Sequence, residues 1–199
     1  MEAASSEISS RATLTRSQAA RRARVIEAAM ALATEGGYDA VQMRDVAATA
    51  KVALGTIYRY FSSKDHILAE TLLEWNRDLQ RRLLQRPPRG ETSADRVVDV
   101  LRRASRSIER NPKLSAALIT AVTASDPAIK ECQGEISQIM VEILSEAMVE
   151  VEPELSVGVC RVLSHVWFST LIGWVNGWEN GTDVGEELEV AARLLLRGT

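Results

Sequence analysis

Apolar residues recur at intervals of three and four over most of the chain, the spacing that lines one face of an α-helix. Val25, Ala28, Ala29 and Leu32 predict a helix over residues 18–35, closed by Gly36-Gly37 because glycine tolerates the left-handed conformation of a helix end. Met43, Val46, Ala47 and Ala50, then Val52 and Ile57, predict two short helices joined by a tight turn within residues 41–61. Ile67, Leu68, Leu72, Trp75, Leu79 and Leu83 form a stripe along a long helix over residues 64–85, which Pro87-Pro88-Arg89-Gly90 ends. Helices follow over residues 94–109, 113–124 and 128–149, separated by Asn111-Pro112 and Ser125-Asp126-Pro127. A helix over residues 155–179 carries Leu163, Trp167, Leu171, Trp174 and Trp178 on one face, and Asn180-Gly181 stops it before a last helix over residues 184–197. Gly158, Ser169, Gly173 and Gly177 are small positions beside that face. Val, Ile and Thr do not alternate over any long run, so the expected fold class is all-α.

Composition sharpens this picture in three places. The chain has 199 residues and a net charge of −3, which by itself argues against a general nucleic-acid binder. Residues 11–64, however, hold nine Lys or Arg against four acids, so a basic head precedes an acidic body. Residues 1–16 are rich in Ser, Ala and Thr and read as a disordered tail, in which Arg11 and Arg16 suit either a basic arm on DNA or plain solvation. Cys132 and Cys160 lie far apart and outside any C-x-x-C, which points to a reducing compartment rather than a disulfide framework. No uninterrupted apolar run approaches a membrane span, and the N-terminus lacks a secretory apolar stretch; a soluble cytoplasmic protein with no membrane partner is expected.

Catalytic chemistry has no foothold in the sequence. It contains no nucleophile elbow, zinc-protease helix, phosphate loop or dinucleotide fingerprint, so no enzyme, cofactor or metal is expected. His165 reads as a core histidine beside apolar residues, and Glu186, Glu187 and Glu189 as a solvated helix face.

The two short helices carry the sharpest motif. Their apolar residues would pack them together and leave the polar side of the second free to enter a groove, as in a helix-turn-helix. The stretch GGYDAVQMRDVAATAKVALGTIYRYFSSKDHIL resembles the N-terminal signature of the TetR family of bacterial repressors, with Gly55, Thr56, Tyr58, Tyr60, Phe61 and Lys64 in place. Lys51-Val52-Ala53 departs from the Gly-Val-Ser usual there. The resemblance implies an N-terminal three-helix helix-turn-helix DNA-binding domain over residues 17–63. A helical ligand-binding and dimerisation domain would follow over residues 64–199. It also implies a homodimer on a pseudo-palindromic double-stranded operator. Candidate DNA contacts are Gln42, Arg44, Lys51, Thr56, Tyr58, Arg59, Tyr60 and Lys64. Arg59 suits a bidentate guanine contact, Thr56 a thymine methyl or a phosphate, and Tyr58, Tyr60, Lys64, Arg44 and Gln42 phosphates. Tyr38 is expected to anchor the first helix, and Phe61 to be core.

Two further stretches, RNPKLSAALITAVTASDPA and SHVWFSTLIGWVNGW, are similar to those of family members that repress cholesterol catabolism in actinobacteria. That likeness implies a hydrophobic effector, specifically a sterol-derived coenzyme A thioester, that releases the protein from its operator. Candidate ligand contacts are Leu72, Trp75, Leu79, Leu118, Val122, Met140, Leu144, Trp167, Leu171 and Trp174. Arg102, Arg103 and Arg106 are candidate partners for the thioester phosphates. The tryptophan stripe fits core, dimer interface or pocket wall, and periodicity does not divide these. Alternatives are a regulator of efflux or other metabolism with a different hydrophobic ligand, an activator of the same fold, and a small-molecule binding protein that does not act on DNA.

Overall fold

The computed structural model describes residues 15–178 and 183–198. The tail before Thr15, with Arg11, and the Asn180-Gly181 stop lie outside the described residues. Among the described residues every element is a helix.

Helix α1 (Arg16–Ala40) starts two residues ahead of the apolar pattern because a capping box places it. The Gln18 N–H donates to Thr15 Oγ1 at 3.3 Å, and the Thr15 N–H donates back to Gln18 Oε1 at 2.8 Å. Arg16, assigned to the tail from sequence, is therefore the first helical residue. The break expected at Gly36-Gly37 is present as a kink: Gly37 has φ 72°, and a last turn continues beyond it. That turn presents Tyr38. Its hydroxyl donates to Asp65 Oδ1 at 2.5 Å, and Lys64 Nζ sits 3.7 Å from the ring centroid and 3.3 Å from the Tyr38 carbonyl oxygen. Tyr38 thus ties the end of α1 to the start of α4 (Lys64–Gln85).

Between them lie α2 (Met43–Ala50) and α3 (Leu54–Tyr58). The body comprises α5 (Ser93–Glu109), α6 (Pro112–Ala121), α7 (Pro127–Ala147), α8 (Pro153–Val175) and α9 (Asp183–Leu195). Proline opens α6, α7 and α8, where its missing N–H costs no helical hydrogen bond.

Two apolar cores result. The head core joins α1, α2, α3 and the start of α4, through Val25, Ala29, Val46, Ile57, Phe61 and Ile67. The body core joins α4, α5, α7, α8 and α9. Helix α6 belongs in part to the head core, because Leu114, Ala117, Leu118 and Ala121 are buried in it against α1 and α4.

Helix α8 departs from the sequence reading in three ways. It ends at Val175, not near residue 179: the Trp178 N–H reaches the Gly173 carbonyl and the Gly177 N–H the Trp174 carbonyl, with Gly177 at φ 71°. Trp178 therefore leaves the helical face and is 76 % exposed. His165, expected in the core, is exposed, because it lies on the side of α8 turned away from Leu163. By length and composition alone α8 would also suffice to cross a membrane, although Ser, Thr, Gly and Arg161 interrupt its apolar residues.

Burial, followed by the Asp65 hydrogen bond, pushes the Tyr38 phenol up to about 12 from its ordinary 10.0. A value raised by folding stabilises fully below the unfolded value and is lost as pH climbs through the folded one. The wild-type protein should therefore lose more thermal stability than Tyr38→Phe between about pH 10 and pH 12, read as the difference between their melting midpoints. Parallel curves would remove the link.

Candidate nucleic-acid interface and internal cavity

The short helix α3 is pinned from beneath and bare above. Ile57 and Phe61 are buried, whereas Tyr58 is 55 % exposed and Arg59 is exposed beside it. Phe61 is held between the Arg22 guanidinium, 5.3 Å from its ring centroid, and the edge of His66 at 5.4 Å. Arg22 in turn pairs with the buried Glu70 at 2.6 Å. Of the sequence candidates, Gln42, Arg44, Lys51, Tyr58 and Arg59 are exposed, while Thr56, Tyr60 and Lys64 are half-buried. The Gln42 amide donates to the Asp39 carbonyl at 3.0 Å, and Lys64 is folded back on Tyr38. Lys51 ends α2 in the left-handed region, φ 53° and ψ 49°, with its N–H 3.2 Å from the Ala48 carbonyl oxygen. The turn thus keeps its geometry without a glycine, and the lysine side chain projects into solvent.

Behind the motif, His66, Glu70 and Cys132 bring a ring nitrogen, a carboxylate oxygen and a thiol within 4.8 Å of one another. The Ser62 N–H donates to His66 Nδ1 at 3.1 Å, which places the ring proton on Nε2, the nitrogen facing Glu70 at 3.7 Å. In that tautomer Nε2 turns a proton, not a lone pair, toward Glu70 and Cys132.

In the body, a cavity of about 580 Å³ opens between α4, α5, α6, α7 and α8. Leu72, Trp75, Leu79, Leu118, Val122, Met140, Leu144, Trp167 and Leu171 line it; Trp174 does not, and packs against the body core instead. Arg102, Arg103 and Arg106 are also outside the lining. Arg102 pairs with Glu189 at 2.5 Å, and Arg103 with Asp99 and the Arg86 carbonyl. Glu189, read as solvated, is thereby engaged by Arg102 and, at 3.0 Å, by Arg193. The basic groups of the lining are Arg82 and Arg110, both exposed to solvent, and Arg82 pairs at 2.5 Å with Asp78, which lines the cavity too. Arg82 continues the stripe Leu72, Trp75, Leu79 by three residues, a periodic signal visible in sequence once α4 is taken to face a ligand. Asn76, Asn111 and Ser164 add polar positions that no apolar pattern marks.

Two family models match the chain: that for bacterial regulatory proteins of the tetR family over residues 25–71, and that for the tetracyclin repressor-like C-terminal domain over residues 90–195. The chain belongs to the TetR family of transcriptional regulators. It is 37 % identical over 180 residues to the HTH-type transcriptional repressor KstR of Rhodococcus jostii (strain RHA1), covering 90 % of this chain and 84 % of that protein. A TetR transcriptional regulator from Rhodococcus sp. RHA1 superposes with a TM-score of 0.81 at 32 % identity, covering 92 % of this chain and 99 % of the other. FadR of Thermus thermophilus, a TetR-family repressor solved with lauroyl-CoA, superposes with a TM-score of 0.69 at 25 % identity, covering 89 % and 94 %. In this TetR-type repressor, similar to KstR, the head is the DNA-binding part.

The left-handed conformation costs a residue with a side chain roughly 1 kcal/mol relative to glycine. Lys51→Gly should therefore raise the thermal midpoint by about 2–4 °C for a chain of this size. An unchanged or lowered midpoint would show that the lysine stem gains enough packing to offset the strain.

Proposed function

We propose that the protein is a cytoplasmic, homodimeric repressor of sterol and lipid degradation genes. A sterol-derived coenzyme A thioester would fill the cavity and release the protein from its operator. The observation that carries the reading is the double placement of α6. Ser115, Leu118, Ile119 and Val122 border the cavity, while Leu114, Ala117, Leu118 and Ala121 are packed into the head core. Leu118 belongs to both. A ligand that displaces α6 must therefore move α1, and with it the spacing of the two recognition helices in a dimer.

Three features support the rest. The cavity falls within the size range of small-molecule sites, and Trp75, Trp167, Phe168 and Met140 suit a bulky apolar body. Arg82 and Arg110 stand where phosphates of a thioester would meet the protein. Leu155, Val162 and Phe168 on α8 and Val190 and Leu194 on α9 are exposed apolar residues that a twofold copy would cover. The sterol assignment rests on the likeness of residues 110–128 and 164–178 to the cholesterol-catabolism repressors. A linear acyl-CoA effector is the second reading, favoured by the lauroyl-CoA bound to the Thermus FadR.

On DNA, we assign base reading to Arg59 and Thr56, and phosphate contacts to Gln42, Arg44, Lys51, Tyr58, Tyr60 and, after turning away from Tyr38, Lys64.

The test is binding to the duplex that the protein selects from a random pool, at fixed salt, titrated with a cholestenoyl-CoA and with lauroyl-CoA. Release by the sterol thioester alone supports the proposal, and release by lauroyl-CoA alone moves it to acyl chains. Indifference to both removes the thioester effector. Arg59→Ala with Tyr58→Phe should reduce operator affinity at least a hundredfold and leave thioester binding intact. Ile136→Trp, which puts a large ring into the cavity, should yield a repressor that binds DNA but no longer responds.

A further inference from the structure

We infer that Asp126, a residue of the body, is a positioning residue for the recognition helix, acting through Ser62. Ser62 follows Phe61 directly and stands four residues beyond the end of α3. Its hydroxyl donates to Asp126 Oδ2 at 2.9 Å, 64 residues away in the chain. The other carboxylate oxygen, Oδ1, accepts the Ala128 N–H at 2.8 Å and so caps α7. One side chain thus starts a body helix and grips the exit of the helix-turn-helix.

The grip is bilateral. The Ser62 N–H is held by His66 Nδ1 at 3.1 Å, and the Ser62 hydroxyl lies 3.3 Å from the same nitrogen. Ser62 is therefore fixed between α4 on one side and the body on the other, while Phe61 beside it is clasped by Arg22 and His66. The charged and titratable groups facing this point are Asp126 at the cap of α7, Glu70 and the imidazole of His66 from α4, and Arg22 from α1. The Ala128 and Ser62 hydrogen bonds hold the Asp126 carboxyl below its ordinary range. A helix of five residues has little stiffness of its own, so an added tether near its end restricts the tilt at which Tyr58 and Arg59 meet a groove. The foot of the tether stands in the turn between α6 and α7; Val122 at the start of that turn and Gln133 within α7 both border the cavity.

The inference uses only the DNA binding of the family and does not depend on the effector. Its test exploits the two jobs of Asp126. Asp126→Asn keeps both: its amide oxygen caps α7 and its amide nitrogen donates to Ser62 Oγ. Asp126→Ser keeps the cap, but its single oxygen is spent there and is one bond too short to reach Ser62. Ser62→Ala removes the tether from the other end at an exposed position. Each variant and the double variant Ser62→Ala/Asp126→Ser are compared for affinity to the duplex selected by the wild type, for affinity to a scrambled duplex, and for thermal midpoint. The expected result is a loss of specific affinity of about three- to ten-fold in Asp126→Ser and in Ser62→Ala. The double variant should lose no more, Asp126→Asn should keep wild-type affinity, and scrambled-duplex binding should stay constant. Unchanged specific affinity in either single variant would overturn the inference. So would losses that multiply in the double variant, or a loss in Asp126→Asn equal to that in Asp126→Ser.

Discussion

A ten-residue helix, α6, has to pack one face into the head core while the other borders the cavity of the body, and the arrangement of the molecule follows from that constraint. Its Leu114, Ala117, Leu118 and Ala121 complete a head core that α1 to α3 are too small to close alone. Its Ser115, Ile119 and Val122 look the other way, onto a space that the body leaves unfilled. Close-packed interiors transmit displacement rather than absorb it. The space inside the body and the orientation of the head are consequently not independent.

Polar links reinforce that dependence at the seam. The Lys113 ammonium donates to the Glu35 carbonyl near the end of α1 at 2.9 Å, the Arg22–Glu70 pair joins α1 to α4, and Ser62 joins Asp126. The Lys113 and Ser62 contacts are exposed and individually contribute little, because water competes for the same groups, whereas the Glu70 carboxylate is buried and depends on its partner. Their value lies in direction: each constrains where the head stands relative to the body, which apolar packing alone specifies loosely. The cavity shows the complementary logic. Its wall is apolar over most of its area, and its charged side chains are Arg110 and the Asp78–Arg82 pair, with both arginines exposed to solvent.

Sequence reasoning fared differently along the chain for identifiable reasons. Capping signals and prolines gave helix starts within a residue or two at Pro112, Pro127 and Lys64, since those are local hydrogen-bond rules. The end of α8 was misplaced because the Asn180-Gly181 signal was taken as the stop, whereas Gly177 closes the helix earlier through two hydrogen bonds. His165 and Trp178 were read from the company they keep in sequence, although exposure depends on which way the helix is turned and where it stops.

The amino-acid sequence alone determined the all-α class, the helix-turn-helix and the family, because each rests on local periodicity, capping and an ordered motif. The apolar stripes themselves were readable, but periodicity did not say which of their Leu and Trp positions border the cavity, and Trp174 lies outside its lining. Tertiary structure alone decided that α6 is shared between the head core and the cavity wall and that Arg82 and Arg110, rather than Arg102 and Arg103, stand at the cavity. It also decided that Asp126 touches Ser62 across 64 residues. Those facts concern which helices become neighbours and at what rotation, and that is set by the packing of all the helices together, which no single stretch encodes.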